Sequence, residues 1–245
     1  MLNPDGRDRF ANWANGNRGH VATIDLNDRE HNQPWPRGRT NHYLFDLNRD
    51  WLPATQPESQ GRLKLYYDWR PQVLVDFHEM GRDRTYFFQP GIPSRNNPNT
   101  PKNVFNLTNK LAAYHAEALN NIGVLYYSKE SFDDFYYGKG STFPDVTGAV
   151  GILFEQASSR GLVTSTTSGE LSYTFSIKNH FNASLGTLEG MWQMRDEFLM
   201  HQRNFYRNSS KAAIQFPTKA YLISTDYKKT QVGLLLNNLA QHQVK

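Results

Sequence analysis

The sequence predicts an α/β fold: a mixed, mostly parallel twisted sheet flanked by helices. Three observations predict it. The apolar, β-branched runs "VLVDF" (73–77) and "VGILF" (150–154) have strand length, and stretches with helical periodicity lie between and after them. Both runs end in polar residues, which is where open α/β sheets place their ligands. Aromatic residues make up 13% of the chain, so bulky core material is present although the mean hydropathy is −0.70.

Residues 3–42 are rich in Asn, Gly, Pro and Arg and show almost no hydrophobic periodicity. They predict long loops and short turns, with "NPDG" (3–6) read as a turn signal. "YLFDLNRDW" (43–51) is a short, strand-like apolar segment that ends in polar residues. "PESQGRLKLYYDW" (57–69) predicts a helix with Leu63, Tyr66 and Tyr67 on one side. "PQVLVDFHEM" (71–80) is the clearest strand. Its period of two sends Val73, Val75 and Phe77 one way and Leu74, Asp76 and His78 the other.

A Pro- and Asn-rich loop follows over 81–102. An amphipathic helix then spans 101–123, with Pro101 near its start and Gly123 past its end. Strands are predicted at 124–128 and 150–158, the latter carrying Glu155 towards its end. A long helix is predicted from about 182 to 208, with Leu185, Leu188, Trp192, Arg195 and Leu199 at helical spacing. "FPTKAYLIS" (216–224) reads as a strand and 226–242 as a helix. With Pro217 as a boundary signal, they suggest one unit over 1–214 and the start of a second over 215–245.

Composition removes several function classes. The chain has no cysteine, so thiolate metal sites, disulfides and a cysteine nucleophile are excluded. The net charge of +4 is small and its basic residues are scattered, which gives little support to a nucleic-acid face despite a pI near 9.2. No run of 18 apolar residues exists to span a membrane. There is no G-x-S-x-G elbow and no glycine-rich phosphate loop, and the hydroxyl-rich "TSTTSGE" (164–170) has no base near it. No histidine belongs to an H-x-x-E, H-E-x-x-H or H-x-H pattern.

The residues left to carry chemistry sit at strand ends and in one loop. His78 and Glu155 suit metal ligation and general-base work; the plainer reading is a hydrogen-bonded core histidine and a surface acid. Asn48 and Arg49 in "DLNRDW" offer a planar fork for a carboxylate, or only a surface ion pair. "DDFYYGKGSTFPD" (133–145) puts Tyr136 and Tyr137 beside Gly138 and Gly140. That is the composition of a mobile loop able to close over substrate, or of a plain aromatic loop.

Taken in order, "NPDG", the R-x-R at Arg37 and Arg39, "DLNRDW", "VLVDFHEMG", "YYGKGSTFPD" and "GILFEQASSRG" resemble the zinc carboxypeptidases of the carboxypeptidase A type, over about residues 1–208. "NHYLFDLNRDW" and "DFHEMG" look closest to bacterial members with extra C-terminal domains. The resemblance implies hydrolysis of peptide bonds at or near a free C-terminus by zinc-bound water. It implies that His78 is the third zinc ligand, that Glu155 is the general base, and that Arg39, or its neighbour Arg37, polarises the scissile carbonyl. Asn48 and Arg49 would hold the substrate carboxylate, and Tyr137 or Tyr136 would cover the bound residue. Peptide or protein C-termini are the implied partners, and a secreted or periplasmic setting is the implied location.

The family's first two zinc ligands come from an H-x-x-E motif ahead of "NPDG", which this sequence does not contain. The start at Met1, straight into "LNPDGRDRF", therefore reads as a start inside a domain, with two ligands expected upstream and weak zinc binding expected of the 245 residues alone. Two other readings stay open beside it: a binder of C-terminal peptides without catalysis, and a hydrolase of peptidoglycan peptides on the same scaffold, with residues near Phe143 to Asp145 deciding between substrates.

Overall fold

In a computed structural model, which describes residues 3–244, Asn3 caps a helix where a turn was expected. Met1, Leu2 and Lys245 lie outside the described residues. The Asn3 side chain accepts a hydrogen bond from the Gly6 amide at 3.0 Å, Pro4 takes the first helical position, and α1 runs Pro4–Asn17. The loop expectation for 3–42 fails over this stretch because cap and proline chemistry start a helix without an apolar stripe. The strand-like segment 43–51 is not a strand either. Asp46 Oδ1 accepts from the Asn48 amide at 2.9 Å and bends the chain into a single 3-10 turn, Leu47–Arg49.

Helix α2 (Pro57–Trp69) follows and buries Leu63 and Tyr66. Arg70, in the left-handed region at φ 46°, ends it and turns the chain into β1 (Val73–Met80). β2 (Tyr86–Phe88) is three buried aromatic residues inside the stretch expected to be loop; it is too short to show a period. α3 (Lys102–Asn120), β3 (Tyr126–Tyr127) and β4 (Val150–Ala157) fall where the sequence places them. A hairpin of β5 (Val163–Thr166) and β6 (Gly169–Ser172) then leads into α4 (Tyr173–Gln193), α5 (Arg195–Gln215) and finally α6 (Lys229–Gln241).

The fold is mixed α/β. The main sheet has the order β1-β4-β2-β3; β1 is parallel to β4 and β2 to β3, while β2 runs antiparallel to β4. Helices cover both faces. Val73, Val75, Ile152 and Phe154 pack against Val104, Leu107 and Leu111 of α3, Ala183 of α4 and Phe198 of α5. On the other face Leu74 meets Trp51, Phe143, and Leu63 and Tyr66 of α2. Every residue of β4 is buried, as a strand covered on both faces requires.

Two expectations for the C-terminal third change. The single helix over 182–208 is two helices that meet at Met194, whose φ of −100° and ψ of 14° leave the helical range. Leu185, Leu188, Trp192 and Leu199 are exposed, and α4 packs inward through Ser176, Asn179, Ala183, Gly186, Thr187 and Gly190. Residues 216–224 form no strand; Tyr221 and Leu222 stand in solvent, and the segment pairs with none of the described strands. α6 forms as expected and lies on α2. Tyr67 Oη is 3.1 Å from His242 Nδ1, and the Asn238 amide donates to Pro53 O at 2.6 Å.

Candidate active site at the ends of two parallel strands

The parallel register of β1 and β4 sets His78 directly opposite Glu155. Paired residues of a parallel ladder share a face, so both side chains point to the same side of the sheet, joined by Asp76 two residues before His78. Asp76 Oδ1 lies 2.7 Å from His78 Nε2. A carboxylate only accepts, so a proton on Nε2 serves this contact.

Asn48 ties the cluster to the chain before it. Its Nδ2 donates to Asp76 Oδ2 at 2.9 Å and sits 2.8 Å from His78 Nε2, while its Oδ1 accepts from the Gly140 amide at 2.8 Å. Beneath lies Trp51, with the Arg62 guanidinium 3.9 Å over its ring. Burial pushes Arg62 down to about 10 even though Asp50, Asp76 and Glu58 pull it up. It remains the cation that balances buried Asp76.

Glu155 is buried, and burial pushes its carboxyl up to about 7. His78 and Arg39 oppose that rise, while Asp76 and Glu79 add to it. Glu79 itself faces away; its Oε2 accepts from Ser158 Oγ at 2.9 Å.

Arg39 lies near enough to act on Glu155, and its Nε donates to Asp46 Oδ2 at 2.9 Å. Arg37 takes a φ of 60° beside it. Arg49 is exposed and donates Nη1 to Asn48 O at 2.8 Å. The Tyr136 hydroxyl donates to Arg49 O at 3.1 Å, whereas Tyr137 turns to Thr100 at 3.4 Å.

Gly138 and Gly140 are buried rather than open. Gly138 O accepts from the Trp51 amide at 3.1 Å, and a Cβ on Gly140 would stand 3.0 to 3.3 Å from Trp51, Asp76 and Asn48. The sequence reading gave no role to Asp76 or Arg62, and Gly140, expected to supply loop freedom, serves close packing against Trp51, Asp76 and Asn48 instead. For Asp76 a signal was present, since alternation already put it on the face of His78.

Zinc takes three or four protein donors. A histidine whose far nitrogen is held by a carboxylate has the donor chemistry of a metal ligand, so His78 Nδ1 fits as one. Among the described residues no group of three His, Cys, Asp or Glu is arranged to hold an ion, so these residues alone do not make a zinc site.

Fold and cluster together define a mixed α/β protein with a His–Glu pair across adjacent parallel strands, a carboxylate-backed histidine and two arginines beside them. No family model matches the chain, and no curated protein does. Among solved structures, the chain is similar to a metallo-carboxypeptidase from Burkholderia cenocepacia. The identity is 13% and the TM-score 0.47, over 79% of this chain and 52% of that one, so the match spans about half that protein's length. Among the described residues no helix is long and apolar enough to cross a membrane.

Proposed function

We propose that this chain carries the proton-transfer and carboxylate-recognition elements of a hydrolase acting on peptides at or near a free C-terminus. The observation that supports this reading is the His78–Glu155 pair, set face to face by the β1–β4 register with Asp76 fixing the imidazole. Glu155, held by its surroundings near neutrality, is suited to take a proton from water and pass it to a leaving amine. Arg49, exposed next to Asn48, offers the fork for a terminal carboxylate, and Arg39 is near enough to Glu155 to favour a developing oxyanion. Zinc is the metal this reading implies, with His78 Nδ1 as the one donor these residues supply.

An N-acylated dipeptide with a free carboxylate, compared with its C-terminal amide by calorimetric titration, tests the reading. The acid is expected to bind about tenfold or more tighter, a gap of ~1.4 kcal/mol or more, and Arg49→Ala to erase the difference. With zinc supplied, turnover by these residues alone is expected to be slow and to vanish in Glu155→Gln. Equal binding of acid and amide overturns the proposal. The lone donor at His78 favours a second reading, a binder of C-terminal peptides without catalysis. It predicts the same acid preference and no turnover at any zinc concentration.

A further inference from the structure

Helix α4 turns its small residues inward and its large ones out. Ala183, Gly186 and Gly190 are buried, while Ile177, Phe181, Leu185, Leu188 and Trp192 are each between 47% and 66% exposed. At 3.6 residues per turn these five fall within an arc of about 80° and run ~22 Å along the helix. No other residue of 177–192 falls inside that arc, so the stripe carries no charge and no hydroxyl. From Phe181 to Trp192 the steps are four, three and four residues, the spacing of a seam that packs against another helix.

About half to two-thirds of five large side chains amounts to ~500 Å² of apolar surface on one helix. Two such stripes laid together bury ~1,000 Å², the lower bound of a specific interface.

The charges beside the stripe select what covers it. Lys178 and Glu189 are exposed and stand on the same flank, about 20° apart around the helix axis. Neither enters an ion pair among the described residues; Glu189 Oε1 accepts only from Gln193 Nε2, at 2.7 Å. Their midpoint along the chain lies one residue from the midpoint of the stripe. An antiparallel copy of the helix, related by a two-fold axis near Leu185, therefore brings Lys178 of each copy towards Glu189 of the other. The same axis sets Ile177 against Trp192 and Phe181 against Leu188. A parallel copy would set lysine against lysine and glutamate against glutamate, which repels.

We propose that a second copy of this chain docks on the outer face of α4, as an antiparallel two-fold helix pair flanked by two Lys178–Glu189 ion pairs. The same patch serves both copies, so the contact closes on itself at two. Its modest area gives a monomer–dimer equilibrium at ~10 µM rather than an obligate dimer. This inference does not depend on peptide hydrolysis.

Sedimentation velocity of the whole chain from ~1 to ~100 µM provides the first test, with a dimer expected to become the main species across that range. Lys178→Glu and Glu189→Lys are each expected to weaken it ~10-fold or more, and the two exchanges together to restore it. Leu188→Ser is expected to abolish the dimer while leaving the unfolding of the dilute chain unchanged. The chain has no cysteine, so one introduced thiol reports the register. Leu185→Cys, at the axis, is expected to give a covalent dimer on mild oxidation. Ile177→Cys, ~20 Å from its counterpart, is expected to give none. A chain that stays monomeric at ~100 µM overturns the proposal. So does a dimer indifferent to Leu188→Ser, a double charge exchange that fails to restore the pairing, or equal cross-linking by Ile177→Cys and Leu185→Cys.

Discussion

Glu155 shows how much of this site is decided by one side chain's surroundings. Its carboxyl is raised from 4.5 to about 7, chiefly because burial removes water from the charged form. A raised folded value means that the stability it contributes is whole below about pH 4.5 and is lost as pH climbs through about 7. Glu155→Gln mimics the neutral form at every pH. It is expected to make the protein more stable at pH 8 by ~1–3 kcal/mol, with the gain gone near pH 4, as denaturant titration at the two pH values measures.

Gly140 is a second such residue. A methyl there meets Trp51 Nε1 at 3.0 Å, Asp76 Oδ2 at 3.1 Å and Asn48 Oδ1 at 3.3 Å. Gly140→Ala is expected to cost ~1–3 kcal/mol and to shift the His78 imidazole resonances; an unperturbed spectrum would show that the loop does not press on the cluster. At this scale the sequence was legible where a polar residue ended an apolar run, as at His78 and Glu155. Gly140 was not legible, because a glycine needed for close approach and one needed for freedom look the same in sequence.

Among the elements, α3 and α4 make an instructive pair. Val104, Leu107, Leu111 and Leu119 in α3 recur on one side and are buried, as their periodicity predicts. α4 also carries an apolar stripe, through Leu185, Leu188 and Trp192, yet that stripe faces solvent. Its small residues lie inward, where a Cβ on Gly186 would stand 2.9 Å from Tyr114 O and 3.0 Å from Ala118 Cβ. Periodicity reports that a helix has two faces; the space available against α3 decides which one is buried. Leu188→Ser is therefore expected to change stability by no more than ~0.5 kcal/mol, and Ala183→Leu to cost ~1–3 kcal/mol. Thermal unfolding that ranked them the other way would place the wrong face in the core. α1 and β2 were invisible for different reasons: one is started by a cap without an apolar stripe, the other is three residues long.

Across the whole molecule, the middle of the fold holds a histidine that the site does not use. His115 is fully buried, 3.0 Å from Thr187 Oγ1 and edge-on to Phe154, and burial pushes it down to about 3. A base lowered in the folded state binds its proton more readily when unfolded, so stability falls as pH drops from about 6.5 towards 3. The loss at pH 4 is expected to be ~3 kcal/mol from this group. His115→Gln, which keeps a polar group near Thr187, is expected to flatten the acid limb of a stability-versus-pH curve; an unchanged slope would assign acid unfolding to other groups.

The parallel pairing of β1 with β4 has a kinetic side. β2, α3, β3 and the tyrosine loop all lie between these strands in the chain, so His78 and Glu155 meet only after a long closure whose entropy is lost before the contact is gained. α3, built from local bonds, forms orders of magnitude faster than such a strand pair closes. Stopped-flow refolding is thus expected to show helical signal before the cluster assembles, with Ile152→Val slowing the second step more than the first. A chain caught between the two steps has its helices and no His–Glu pair, so the candidate site is unassembled until the sheet is nearly whole.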